Sequence, residues 1–84
     1  MSFSLLVNLL GWLGSAAVIA AYALVSLNRL RGDSAAYQAL NLVGGAFLIV
    51  NTIYWGAYPS TLVNLVWVFI AIVALARLGR QKPL

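Results

Sequence analysis

Three long apolar stretches dominate the chain, and short polar segments separate them. They cover residues of about 5–27, 35–55 and 60–78. A helix rises about 1.5 Å per residue, so each stretch can cross a hydrocarbon core about 30 Å thick. The pattern predicts an all-α membrane protein with three transmembrane helices, in which residues 1–84 form one domain.

The first polar segment, residues 28–34 (NRLRGDS), connects the first two predicted spans. Gly32 is the expected end signal of the first helix, because glycine is common where a helix stops. Asp33 or Ser34 is the expected cap of the second helix, since their oxygens can accept from the free backbone N–H groups there.

A tight turn at residues 56–59 joins the second and third spans and contains no charged residue. Pro59 suits the first helical position of the third span, where no backbone N–H is needed. After the third span the chain continues as a short basic tail, residues 79–84.

Polar, small and aromatic residues recur in each span at steps of mostly three and four, so each set forms a stripe along one helix face. The three stripes consist of Asn8, Gly11, Trp12, Ser15, Ile19, Tyr22 and Ser26; of Gln38, Asn41, Gly44, Gly45, Leu48, Asn51, Thr52 and Trp55; and of Ser60, Asn64, Trp67, Ala71, Ala74 and Leu78. Small residues let membrane helices approach closely, and amides can hydrogen-bond between them. The periodicity therefore predicts that the stripes face protein.

Three asparagines of these stripes, Asn8, Asn51 and Asn64, lie about 5–6 Å inside the outer boundary of the predicted spans. One interpretation is a clamp, in which the amides hydrogen-bond the helices together because unpaired amides are costly in hydrocarbon. The other is a polar ring that lines a solute pathway. Trp67, near mid-span, is either a packed residue between helices or a stacking surface for a ring-shaped solute.

These considerations select a small set of candidate site residues. The candidate substrate-binding residues are Asn64, Asn51, Trp67 and Asn8, and the candidate gates are Tyr54, Tyr58 and Tyr22.

The amino-acid composition excludes several classes of function for this chain. The chain of 84 residues is 64% hydrophobic, and its mean hydropathy is +1.01, so lipid must solvate much of its surface. It has no cysteine and no histidine, and Asp33 is its one acidic residue. Paired-carboxylate catalysis, a Ser-His-Asp relay and a His/Cys metal site all lack their residues. We expect no enzyme activity, no cofactor and no metal.

The positive charges lie on one side of the predicted membrane. The basic residues are Arg29, Arg31, Arg77, Arg80 and Lys82. With three spans, the connector and the tail share a side, and the positive-inside rule then predicts an outside N-terminus and a cytoplasmic C-terminus. These charges form two short clusters beside apolar runs, so we expect the lipid bilayer as their partner and no nucleic acid.

The order of these features resembles the SemiSWEET half-transporters of the PQ-loop superfamily, over most of the chain from about Leu10 to Arg77. Pro59 followed five residues later by Asn64 matches the opening of their third helix. Their Pro-Gln pair in the first span is replaced here by about Leu24-Val25. The segments GW at 11–12, LN at 40–41, GAYPS at 56–60 and NLVW at 64–67 are also similar to a family of small uncharacterised bacterial membrane proteins related to that group.

The resemblance implies a parallel homodimer of three-helix bundles in the bacterial inner membrane, with a central cavity for a sugar or a similar neutral solute. It also implies alternating access and a sugar-binding role for Asn64. Two alternatives stay open. One is an accessory or structural subunit of a membrane complex, which the missing Pro-Gln pair favours. The other is a holin-like pore former, which the small size and basic tail favour.

Overall fold

The computed structural model describes residues 2–81 and is all-helical. Helix α1 spans Phe3–Ser26, α2 spans Ala35–Tyr54 and α3 spans Tyr58–Gln81. All three helices are long and apolar enough to cross a membrane. The prediction of a membrane protein with three transmembrane helices is confirmed to this extent.

The start of α2 is fixed by one of the two predicted caps. The Ser34 hydroxyl accepts a hydrogen bond from the Tyr37 backbone N–H at 3.2 Å. Asp33 instead accepts two bonds from the Arg31 guanidinium, at 2.9 and 3.0 Å. This ion pair is exposed, so water screens it and it contributes little to stability.

Helix α1 ends close to the predicted end of the first span, but a different residue stops it. Asn28 adopts a left-handed conformation with φ of 60°. The Asn28 N–H donates to the Val25 carbonyl at 3.1 Å, and the Arg29 N–H donates to the Leu24 carbonyl at 2.8 Å. This is a Schellman motif, which satisfies carbonyls that the helix end leaves free. The prediction that Gly32 ends α1 is therefore wrong.

The same motif ends α2 at the tip of the α2–α3 hairpin. Gly56 has a φ of 71°, which is strained for residues with a Cβ. The Gly56 N–H donates to the Ile53 carbonyl at 3.1 Å, and the Ala57 N–H donates to the Thr52 carbonyl at 2.8 Å. The chain can therefore reverse within a few residues and begin α3 at once.

Helix α3 is longer than predicted at both ends. It begins at Tyr58, so Pro59 is its second residue and not its first. Proline is still accommodated there, because the N–H groups of the first turn have no partner in the helix. At the other end α3 continues to Gln81, so the predicted tail of residues 79–84 is helical in its first half. Residues 82–84 lie outside the described part.

Helix α2 lies between α1 and α3 and contacts both through glycines. A Cβ added to Gly14 would lie 2.7 Å from the Gly44 carbonyl oxygen. A Cβ added to Gly45 would lie 2.8 Å from a methyl carbon of Val68. Lipid is as apolar as the side chains, so such close van der Waals packing holds membrane helices together.

Helices α1 and α3 leave an open groove between them. Gly44 faces α1 and its neighbour Gly45 faces α3, and successive residues point about 100° apart around a helix. Helices α1 and α3 therefore attach to α2 in directions about 100° apart. Within residues 2–81, no Cα of α1 lies within 8 Å of a Cα of α3. We call the space between them the central groove.

Candidate functional site

The polar stripe of α1 lies mostly to one side of the surface that packs on α2. Val7 and Ala21 are fully buried against the rest of the chain, whereas Trp12 is 77% exposed and Tyr22 is 71% exposed. The predicted stripe lies about one residue, or roughly 100°, round the helix from the packing face. Its side chains are therefore free to meet a solute or a second chain.

A cleft at the end of the bundle that carries the Gly56 turn, which is the predicted outer end, joins this stripe to α2. We call it the outer cleft; its volume is about 220 Å³ and its walls are Asn8, Gly11, Trp12, Ser15, Leu48 and Asn51. Around α2, Leu48 lies between the directions of Gly44, which faces α1, and Gly45, which faces α3. The outer cleft therefore opens on the side of the central groove.

Two amides at the outer cleft hold α1 to α2. Asn51 Nδ2 donates to the Val7 backbone carbonyl at 3.1 Å, and Trp55 Nε1 donates to Asn8 Oδ1 at 2.9 Å. Gly11 makes room for Asn51, because a Cβ at Gly11 would lie 2.7 Å from Asn51 Cγ. These bonds agree with the clamp interpretation for Asn8 and Asn51.

The same bonds fix the orientation of each amide group, and each bond uses only one of the two polar atoms of that group. A carbonyl can only accept and an indole N–H can only donate, so the nitrogen and oxygen of both amides are assigned by chemistry. Within residues 2–81, Asn8 Nδ2 and Asn51 Oδ1 make no hydrogen bond. The Ser15 hydroxyl, on the same wall, has no partner in that part of the chain either.

Unpartnered polar groups are thus accessible at the outer cleft. Asn8 is exposed, and the half-buried Asn51 and Ser15 have no side-chain polar atom that is both fully buried and unpaired, so these residues keep some contact with the solvent. They comprise donors on Asn8, an acceptor on Asn51 and a hydroxyl on Ser15 that can do both. The arrangement can bind a neutral hydroxylated molecule, and it contains no ionisable group.

Asn64 and Trp67 do not line the outer cleft. Asn64 is half-buried on α3, where its backbone carbonyl lies 3.8 Å from the position of a Cβ on Gly45. Trp67 is about half exposed. The predicted asparagine layer is therefore divided, with Asn8 and Asn51 together at the outer cleft and Asn64 at the separate contact between α2 and α3. The binding roles of Asn64 and Trp67 stay predictions.

A pair of threonine hydroxyls connects α2 and α3, whereas the clamp interpretation predicted that the amide of Asn64 would do so. Thr61 Oγ1 donates to Thr52 Oγ1 at 2.7 Å within a buried contact. Thr52 Oγ1 in turn donates to the Ile49 carbonyl at 3.3 Å. Each hydroxyl therefore satisfies its hydrogen-bonding needs inside the hairpin, and neither is available to a solute.

The predicted gate residues differ in their surroundings. The Tyr54 ring packs against Phe3 at 5.4 Å between ring centroids and edge-on against Trp55 at 4.9 Å. Tyr58 and Tyr22 are both exposed. Tyr54 thus belongs to an aromatic cluster beside the Gly56 turn, and the gating role of all three stays a prediction.

Trp12, Ser15 and Leu48 line the outer cleft but were not among the candidate binding residues. The signal for them was present, because all three belong to the polar stripes at steps of three and four from Asn8, Asn51 or each other. The asparagines were chosen as candidates because of their depth in the predicted spans. Which residues share a cleft depends instead on the direction in which each side chain leaves its helix.

A protein-family model matches residues 7–82, which is nearly the whole chain. The chain belongs to that family. Its members are uncharacterised proteins, and nothing in the match connects them with the SemiSWEET or PQ-loop proteins. No curated protein and no solved structure matches the chain significantly.

Proposed function

We propose that the protein is a small-solute facilitator that works as a parallel homodimer by alternating access. The observation that carries this proposal is the outer cleft, in which two amides and a hydroxyl keep unpaired polar groups open to the central groove. Intramembrane polar groups are costly unless a partner binds them, and they mark solute paths as well as helix contacts.

The chemistry of the outer cleft favours a neutral polyhydroxylated solute such as a sugar. The groups on Asn8, Asn51 and Ser15 match hydroxyls, which both donate and accept hydrogen bonds. The exposed Trp12 ring at the same cleft offers an apolar face of the kind on which a sugar ring can stack. No charged side chain is present to attract an ion.

A second copy of the chain would turn this open cleft into an enclosed site. Two facing clefts of about 220 Å³ each would give about 440 Å³, which is within the usual range of about 300–1,000 Å³ for small-molecule pockets. The resemblance to half-transporters supports the same arrangement. The positive-inside distribution of the basic residues supports a parallel pair in a bacterial inner membrane, with the N-terminus outside and the C-terminus in the cytoplasm.

Uptake by liposomes tests the proposal. The purified protein is reconstituted in liposomes, and the initial uptake of radiolabelled mono- and disaccharides is compared with that of empty liposomes. We expect saturable uptake of at least one neutral sugar, which Ser15→Val and Trp12→Leu reduce. If protein-containing liposomes take up no neutral solute above the leak rate, the proposal is wrong.

A second function, an accessory subunit that packs against a larger membrane complex, is favoured by one observation. Asn8 and Asn51 both hold α1 to α2, so their presence is already explained by helix packing. In that case the substitutions in the outer cleft change the stability of the chain, and the protein alone transports nothing.

A further inference from the structure

A second cavity lies at the opposite, basic end of the bundle, between α3 and the connector from α1 to α2. We call it the basic slot; its volume is about 450 Å³. Its α3 wall consists of Phe69, Ile70, Val73, Ala74, Arg77 and Leu78. It shares no residue with the outer cleft.

The α3 wall of the basic slot is a groove between two ridges. Residues four apart stack along a helix surface, so Phe69, Val73 and Arg77 form one ridge and Ile70, Ala74 and Leu78 form the next. The ridges run for about 12 Å, because Phe69 and Arg77 are eight residues apart at about 1.5 Å each. The slot therefore leads from a cation near the end of α3 toward the middle of this candidate membrane span.

The cation at the mouth of the slot has no acidic partner in the described part of the chain. Asp33 is the one acidic residue of the sequence, and its carboxylate is held by Arg31 through two hydrogen bonds. Arg77 forms no salt bridge within residues 2–81. Asp33 lies at the slot, but Arg31 neutralises its charge, so it does not replace an anion beside Arg77.

Further donors lie at the same mouth. The backbone N–H groups of Gly32 and Asp33 make no hydrogen bond in the described residues. The Gln38 side chain donates to the Gly32 carbonyl at 3.3 Å and so holds the connector against the start of α2. A cation and two free N–H groups at the head of an apolar groove match a molecule with an anionic head and an apolar chain.

We propose that the basic slot binds one anionic phospholipid per chain, with the phosphate beside Arg77 and an acyl chain along the Phe69–Val73 ridge. Charge complementarity selects this occupant, since basic pockets at the cytoplasmic side of membrane helices bind anionic headgroups. The binding does not depend on transport, so its failure and the failure of the transport proposal are separate results.

The test compares two lipids on one protein. The purified protein in detergent receives equal amounts of dioleoyl phosphatidylglycerol and dioleoyl phosphatidylcholine, and native mass spectrometry gives the ratio of the two lipid-bound forms. We expect one bound lipid per chain, with the anionic lipid preferred. Because one basic residue contributes about 1 kcal/mol to binding of an anionic surface, Arg77→Gln should lower that preference about fivefold.

Two variants make the test specific. Arg80→Gln removes the same charge from the same helix outside the slot, and it should leave the preference nearly unchanged. Val73→Trp fills the groove and should reduce binding of both lipids, whereas Val66→Trp, outside the slot, should not. An equal effect of Arg77→Gln and Arg80→Gln would show general charge attraction and overturn the proposal, as would full lipid binding by Val73→Trp.

Discussion

Replacing Asn51 by leucine tests whether Asn51 binds a solute or only holds α1 to α2. Trp55→Phe provides a matched control. Each change removes one hydrogen bond between α1 and α2, from Asn51 to the Val7 carbonyl or from Trp55 to Asn8. Asn51 lines the outer cleft, whereas Trp55 lies outside it and acts on it only through Asn8. The two variants should therefore be similar in stability and different in transport.

The expected loss of stability is small. A hydrogen bond between membrane helices contributes about 0.6 kcal/mol on average and seldom more than about 1.7 kcal/mol. Folded proteins are stable by about 5–15 kcal/mol, so both variants stay folded. A transport site behaves differently, since an unpaired solute hydroxyl costs about 1–3 kcal/mol. At about 1.4 kcal/mol per factor of ten, Asn51→Leu should lower flux by about fivefold to about 100-fold.

The assay is initial sugar uptake by liposomes, with the melting temperature of each purified variant measured by loss of helical circular dichroism. We expect Asn51→Leu to lose most of its flux and Trp55→Phe to keep most of it, at nearly equal melting temperatures. If the two variants lose flux equally, or if flux falls in step with the melting temperature, Asn51 is only a clamp and the reasoning fails.

Three further predictions concern packing, orientation and assembly. Gly14→Ala should destabilise the protein by about 1–3 kcal/mol in thermal unfolding, because its Cβ would meet a backbone oxygen, whereas Gly32→Ala meets nothing within 4 Å and should be neutral. A reporter fused after Leu84 should be active only if it works in the cytoplasm, and periplasmic activity would reverse the proposed orientation. A single cysteine in place of Trp12 should cross-link in membranes to the same cysteine of a second copy, and one in place of Phe69 should not. Equal cross-linking would refute a dimer that covers the outer cleft.

The helices themselves could be predicted from the sequence, but some of their ends could not. Hydropathy alone gives three spans, because an apolar run of about 20 residues satisfies all its backbone hydrogen bonds in lipid when it is a helix. The connector contains both Asn28 and Gly32, and either residue can take the left-handed conformation that ends a helix. Glycine has the stronger preference, yet α1 ends at the asparagine.

The candidate site was predicted in part, for a geometric reason. Sequence position gives the depth of Asn8, Asn51 and Asn64, and the structure does place Asn8 and Asn51 at one cleft. The direction of each neighbouring helix depends on packing, and α1 packs through residues outside its predicted stripe, such as Val7 and Ala21. These residues are apolar, so polarity patterns do not distinguish a packing face from a lipid face.

The hydroxyl pair of Thr52 and Thr61 beside the Gly56 turn has a consequence for how the protein enters the membrane. Both hydroxyls and the end of α2 satisfy their hydrogen bonds inside the hairpin, so α2 and α3 can leave the translocation machinery as one unit with few exposed polar groups. Helix α2 is the less apolar of the two, and its insertion should therefore depend on α3. Cell-free insertion of a chain that stops after α2 should be less efficient than insertion of the chain that includes α3. Equal efficiency would show that α2 enters alone.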